Sequence, residues 1–279
     1  MSQSQANQPQ TDSRASVLCD IVGPVAIITL NRAQALNSFN RQMHTDLWAA
    51  LDQAAGASGV RCTVITGAGR GFCAGADLSD FDFTPGPDMV KRADPGPVID
   101  QCFNPTVRRL QAHPMPTIAA VNGVAAGAGA SFALACDMVL ASTSASFIQA
   151  FSKIGLIPDA GGSWLLTQRL GQARAMGLAM TGDKLGAAQA KEWGLIWDVV
   201  EGDTAALLDA AIALANKLAV MPTKALVATR HLLRASATNT LDAQLDLERD
   251  TQSALGATHD YIEGVQAFLE KRAPTFKGH

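Results

Sequence analysis

Asp159 is the side chain best placed to do acid–base chemistry. It lies in Gly155-Leu-Ile-Pro-Asp-Ala-Gly-Gly-Ser-Trp164, between Pro158 and a run of small residues, just before the apolar Trp164-Leu-Leu166. Two readings stand side by side. Asp is a common helix N-cap, and spacing alone favours that reading. A carboxyl beside an apolar pocket lined by Phe151, Ile154 and Trp164 would instead be desolvated, with its pKa raised, and become a better proton acceptor. Two glycine-rich turns are the other candidates. Thr66-Gly-Ala-Gly-Arg-Gly-Phe-Cys-Ala-Gly-Ala-Asp77 and Asn122-Gly-Val-Ala-Ala-Gly-Ala-Gly-Ala-Ser131 each follow a buried apolar run. For either turn alone, tight strand–helix packing is the plainer explanation. Together they could bring two backbone N–H groups to one carbonyl oxygen. The first is no dinucleotide fingerprint, since Phe72 stands where the third glycine belongs.

Other chemistries find no support. No H-E-x-x-H, Walker A or G-x-S-x-G occurs. The five histidines (His44, His113, His231, His259, His279) have no ligand spacing, so no metal is expected. The five cysteines are odd in number and form no C-x-x-C, which points to a reducing compartment without a disulfide framework. Cys73 has no adjacent histidine and reads as small core filler. The formal charge of −3 offers no field to hold nucleic acid or an acidic membrane. The uncharged stretch from Pro114 to Cys136 is long enough to span a bilayer, but Ala, Gly and two prolines make it a poor one. A soluble, cytoplasmic protein is expected.

These groups need a frame. Val25–Leu30, Cys62–Thr66, Thr117–Val121 and a run starting at Met138 read as buried strands. Arg41–Ala55 shows helical spacing of Met43, Leu47, Leu51 and Ala54, and Val98–Ala112 reads as helix despite Pro105. Residues 77–97 read as a long Asp/Gly/Pro-rich loop carrying Phe81 and Phe83. The alternation argues for parallel pairing and an α/β core. After Asp203 only helices are expected: Ala205–Leu218, Lys224–Ala235, Leu241–Leu255 and Tyr261–Lys271. The last of these are apolar enough to need a partner, in this chain or another subunit. Three regions result: a polar tail over 1–15, a core over 16–203 and a helical region over 204–279.

The chain resembles the enoyl-CoA hydratase/isomerase (crotonase) superfamily. The resemblance runs from about Val17 to the C-terminus. It rests on Leu30-Asn-Arg-Ala-Gln-Ala-Leu-Asn37, Gly71-Phe-Cys-Ala-Gly-Ala-Asp-Leu78, Ala120-Val-Asn-Gly123 and Ala267-Phe-Leu-Glu-Lys-Arg272. It implies a crotonase-like α/β spiral of β-β-α units, a C-terminal α-helical trimerisation region, and acyl-CoA thioesters as substrates. Coenzyme A then enters as part of the substrate, with no separate cofactor, and the protein is a homotrimer or a hexamer. The family's oxyanion hole falls on the backbone N–H of Ala76 and Ala128. Coenzyme A falls near Arg32, Ala35, Leu36, Ala74, Ala76 and Asp77. Phe268 and Lys271, three apart and so on one helix face, are placed near the adenine or its phosphates, and Arg32 within reach of a phosphate.

Two departures narrow the reaction. Hydratases of this family carry two glutamates that handle water, and the matching positions here hold Ser131 and Phe151. Asp159 remains, where other members place a catalytic aspartate. An isomerase is therefore expected, with Phe81, Phe151 and Trp164 as candidates for the acyl pocket; ordinary core packing explains each of the three equally well. The alternatives are another enzyme of the family and a catalytically silent acyl-CoA-binding subunit.

Overall fold

Side chains alternate between the two faces of the larger sheet, and that alternation sets the layers. In the computed structural model, which describes residues 15–279, the sheet has the order β1-β2-β3-β5-β7-β10. Its strands are β1 (Val17–Val22), β2 (Val25–Leu30), β3 (Cys62–Gly67), β5 (Thr117–Val121), β7 (Met138–Ser142) and β10 (Asp198–Val200). Val25, Ile27, Val64, Ile118 and Leu140 turn to one face, against Leu207, Ala211 and Ala215 of helix Thr204–Ala219. Ile28, Leu30, Ile65, Ala119, Val121 and Val139 turn to the other, against Met43, Leu47 and Leu51 of helix Arg41–Gly56. This is the period-two pattern of a strand buried on both sides. The first of the C-terminal helices thus covers the sheet, and the tail expected over residues 1–15 lies, apart from Ala15, outside the described residues.

A second sheet runs β4-β6-β8-β9, formed by β4 (Gly71–Cys73), β6 (Val124–Ala126), β8 (Ser146–Ile148) and β9 (Lys184–Gly186). The chain repeats one move: β3 passes to β4, β5 to β6, and β7 to β8, each time from the first sheet to the second. Pairing is parallel except for β1–β2 and β8–β9. Glycines make the sharp corners possible. A Cβ on Gly123 would lie 2.1 Å from the Arg70 carbonyl oxygen, and one on Gly67 would lie 2.4 Å from that of Gly71. Two buried asparagines close these corners. Asn37 Nδ2 donates to the Ala68 and Gly71 carbonyls, and Asn122 Nδ2 donates to that of Gly69.

The four expected strands are present. The others were missed because they are three residues long or, for β1, partly polar. Two expectations, one of a loop and one of a helix, need correction. Residues 77–97 are not irregular throughout: they hold short turns at Leu78–Asp80, Met89–Arg92 and Gly96–Val98. Asp77, Asp82 and Asp94 each accept from the backbone N–H two residues on, the local bond that lets Asp build turns. The helix over 98–112 is not uniform either. It widens into a π-turn at Ile99–Phe103 before Asn104–Gln111, and Pro105, which has no N–H to offer, sits in the first turn that follows.

Helix Thr223–Ala235 docks through charge. The Arg230 guanidinium lies 2.7 Å from the Asp137 carboxylate and also donates to the Met115 carbonyl. Among the described residues no single helix is long and apolar enough to cross a membrane. Gly177 sits exposed within helix Gly162–Thr181, with nothing within 4 Å of an added Cβ. Gly177→Ala should therefore raise stability by about 0.5–1 kcal/mol, through the lower entropy of the unfolded chain. Urea unfolding measures it; an unchanged or lower midpoint contradicts the expectation.

Candidate active site

Ala76 and Ala128 come together because β4 packs on helix Ala128–Ala135. A Cβ on Gly129 would lie 2.3 Å from the Cys73 carbonyl oxygen, and one on Gly75 would lie 3.4 Å from the Ala128 nitrogen. Gly75 (φ +96) and Gly127 (φ +53) hold left-handed backbone at the two approaches. The peptide joining Gly75 to Ala76 is held by its carbonyl, which accepts from the Phe39 N–H at 2.7 Å. Asp77 N–H donates to the Phe39 carbonyl. The Gly127 carbonyl accepts from Ala130 and Ser131. The N–H groups of Ala76 and Ala128 themselves donate to no backbone or side-chain acceptor among the described residues, as expected for Ala128 at the first position of a helix.

Both alanines line a cavity of about 250 Å³. Its walls come from Leu78, Phe81, Pro95, Val98, Ile99, Phe103, Phe151, Ile154 and Leu156, with Ala74 and Gly127 beside the two N–H groups. Asp159 lines it too, and among the described residues it is the one ionisable side chain that does. Its Oδ1 is buried without a hydrogen-bond partner. Burial pushes the carboxyl from its usual 3.8 up to about 6, and the Asp159 N–H offsets this only in part. The cap reading fails. The residue before helix Gly162–Thr181 is Gly161, and the Asp159 side chain makes no cap bond. Left-handed backbone at Ala160 (φ 49) and Gly161 (φ 78) turns the chain between the acid and the helix. A buried alanine held there is a backbone strain of the kind found at functional sites.

The other candidates divide. Phe81 and Phe151 line the cavity, with the Phe151 ring lying over Gly127. Trp164 does not. It is 41% exposed and lines a different cleft with Asp137, Trp197 and Leu233, because Ala160 and Gly161 turn the helix start away from Asp159. Leu36 is tied to Ala74 by the Ala74 N–H bond to its carbonyl, with Ala35 next to it; of the three, Ala74 lines the cavity. Arg32 is committed to protein acceptors, donating to Asp77 Oδ2 at 2.7 Å and to the Ser38 carbonyl. Burial pushes the Asp77 carboxyl up, but hydrogen bonds from Ser79 and Arg32 outweigh it and hold the group below the usual range. Phe268, 83% exposed, lines a separate groove on the C-terminal helices. Lys271 is not on its helix face: the helix ends at Glu270, and Lys271 is the left-handed residue after it.

Sequence reading missed Val98, Ile99 and Phe103. Their spacing is that of any helix facing a core, so nothing in the pattern separates a cavity wall from packing. It also missed the layer beneath Phe103. His44 stacks on Phe39 with ring centroids 4.6 Å apart and meets Phe103 edge-on at 4.5 Å. Burial pushes the His44 imidazole down to about 4, so it is neutral at ordinary pH. Burial pushes the Cys73 thiol up to about 12, which makes it inert. No group of three or more His, Cys, Asp or Glu able to hold a metal ion occurs among the described residues.

Comparison with known proteins adds the class. Residues 20–279 match the family model for enoyl-CoA hydratase/isomerase. A 1,2-epoxyphenylacetyl-CoA isomerase of Escherichia coli is 52% identical over 94% of this chain and 98% of its own length. A 2,3-dehydroadipyl-CoA hydratase of the same organism is 38% identical over 91% of this chain and 95% of its own. The crystal structure of an enoyl-CoA hydratase from Bacillus anthracis superposes with a TM-score of 0.84 at 33% identity, covering 95% of this chain and 100% of the other. The chain belongs to the enoyl-CoA hydratase/isomerase family and has its crotonase-like fold. It is similar over nearly its whole length to the Escherichia coli isomerase.

Proposed function

We propose that this enzyme converts ring 1,2-epoxyphenylacetyl-CoA to the seven-membered oxepin thioester, a step in the breakdown of phenylacetate and other aromatic acids. The observation that carries the reading is Asp159, the one ionisable side chain among the described residues in an apolar cavity that also holds Ala76 and Ala128. The two N–H groups donate to the thioester carbonyl oxygen and stabilise enolate character at the neighbouring carbon. Such donors act without reorganising, and losing one typically costs roughly 10²–10³ in rate. The carbon–carbon bond shared by the epoxide and the six-membered ring breaks, its electrons re-forming as ring double bonds with the oxygen inside the seven-membered ring. Asp159 takes a proton from the carbon beside the thioester and returns it to a ring carbon, so that substrate and product are isomers. The same site moves a 3-enoyl double bond to the 2-position.

Hydration finds no support in the side chains. Ser131 is buried, its Oγ 2.5 Å from where a Cβ on Gly162 would stand, and Phe151 offers only a ring. Neither can hold or activate a water as a carboxylate does. Coenzyme A is held by the backbone near Ala35, Leu36 and Ala74, with Phe268 and Lys271 reaching its nucleotide end, across a subunit boundary in a trimer or hexamer. Leu241, Tyr261, Phe268 and Leu269, all exposed in the single chain, support assembly through these helices.

A second reading, an isomerase of linear 3-enoyl-CoA, draws on the aliphatic wall formed by Leu78, Ile99, Ile154 and Leu156. Steady-state kinetics decide between them. The ring epoxide should exceed a linear 3-enoyl-CoA in kcat/KM by roughly tenfold or more, a ratio within the reach of one apolar pocket. Water addition to a 2-enoyl-CoA should be undetectable. A higher kcat/KM on the linear substrate would establish the second reading, and rapid hydration would defeat both.

A further inference from the structure

We infer that the Arg32–Asp77 ion pair is a positioning device that aims the Ala76 N–H, and that neither side chain is there to bind a phosphate. The inference rests on the reading of Ala76 and Ala128 as donors to the thioester. In a trans peptide the C=O and N–H point in opposite directions, and no cis peptide occurs among the described residues. The hydrogen bond from Phe39 N–H to the Gly75 carbonyl therefore fixes where the Ala76 N–H points: away from Phe39. On the other side of Ala76, Asp77 N–H donates to the Phe39 carbonyl. One residue, Phe39, thus grips both peptides of Ala76.

That grip joins two segments that are separate in sequence and held in unusual backbone. Leu36 (φ 48), Asn37 (φ 56) and Gly75 (φ 96) are all left-handed, so local preference does not keep the segments in place. Arg32 supplies the cross-link. Its Nη2 lies 2.7 Å from Asp77 Oδ2 and its Nη1 donates to the Ser38 carbonyl, next to Phe39. Its backbone N–H donates to Asn37 Oδ1. The two side chains are only 18% and 15% exposed, so solvent screens the pair less than it would on the surface. The guanidinium spans both sides of the bridge, which a lysine ammonium cannot do with the same geometry.

The test reads the bond that the N–H is meant to polarise. Isotope-edited infrared spectra would be recorded for the full-length enzyme with bound phenylacetyl-CoA, 13C-labelled at the thioester carbonyl. This ligand lacks the epoxide. Wild type should lower the carbonyl stretch relative to solution. Asp77→Asn should recover much of that shift and reduce kcat roughly 10–100-fold, the scale of weakening one of two donors, with KM and Tm little changed. Arg32→Gln should reproduce this, the double variant should add nothing further, and Arg32→Lys should fall between. If Asp77→Asn does not fold, Arg32→Gln reads the same quantity. A full wild-type shift in Arg32→Gln and Asp77→Asn overturns this inference alone. Loss of kcat in step with Tm, at an unchanged shift, does the same by making the pair merely structural. No shift in wild type overturns the two-donor reading and this inference with it.

Discussion

Asp159→Asn should remove nearly all turnover and yet stabilise the protein above pH 6. A positioned acid–base group contributes about 10²–10⁴ in rate, and this cavity holds no second ionisable side chain among the described residues to replace it. The carboxyl sits at about 6 because burial disfavours its charged form. As a base it works when deprotonated, so wild-type kcat/KM should climb through pH 6 and level off above it. Stability runs the other way. Below its usual 3.8 the group is neutral in both folded and unfolded chains; above about 6 the folded chain must hold a buried carboxylate, and the stabilising contribution is lost. A shift of that size corresponds to at most about 3 kcal/mol. Asparagine carries no charge to bury. At pH 8 the variant should unfold at higher urea than wild type, and at pH 4 or below the gap should shrink towards zero. A kcat/KM profile that is flat from pH 5 to 8 would contradict the assignment of Asp159.

Gly129→Ala should sharply reduce activity by a purely steric route. The added Cβ would lie 2.3 Å from the Cys73 oxygen and 2.8 Å from both the Cys73 carbonyl carbon and its Cβ. The first two of these atoms are backbone, so β4 and helix Ala128–Ala135 must move apart. Overpacking of this kind costs about 1–3 kcal/mol in stability. The functional loss should be larger, since the same contact sets the spacing of Ala76 and Ala128. A fall in kcat/KM of roughly 10²–10³ is expected, matching the loss of one donor. Gly56→Ala is the control, at a helix end with nothing within 4 Å of the new Cβ. Thermal unfolding and steady-state kinetics on both variants check it. Near-normal turnover in Gly129→Ala would show that the spacing of the two segments does not govern catalysis.

Much of the frame was legible because burial writes itself into hydrophobic period. Val25–Leu30, Cys62–Gly67, Thr117–Val121 and Met138–Ser142 are continuous apolar strands flanked by turn residues, and the four C-terminal helices carry the spacing of amphipathic or buried helices. The three-residue strands β4, β6, β8 and β9 have no room for a period. Their pairing comes from neighbours far away in the chain. The π-turn at Ile99–Phe103 is equally silent, because the spacing of its apolar residues does not set it apart from a regular helical turn.

The sequence by itself offered the candidates: two glycine-rich turns able to bare backbone donors, an acid that spacing alone read as a helix cap, and no motif for another nucleophile or a metal cluster. Residue type and short spacing suffice for that. Only the tertiary structure decided which groups meet. It brought Asp159 to the cavity wall with an unpartnered oxygen, and it turned Trp164 to another cleft although it lies only five residues on. It also set Arg32 against Asp77, 45 positions away in the chain. The reason is that direction, burial and dielectric at a side chain are set by backbone turns such as Ala160–Gly161 and by segments dozens of residues away, and no local pattern encodes them.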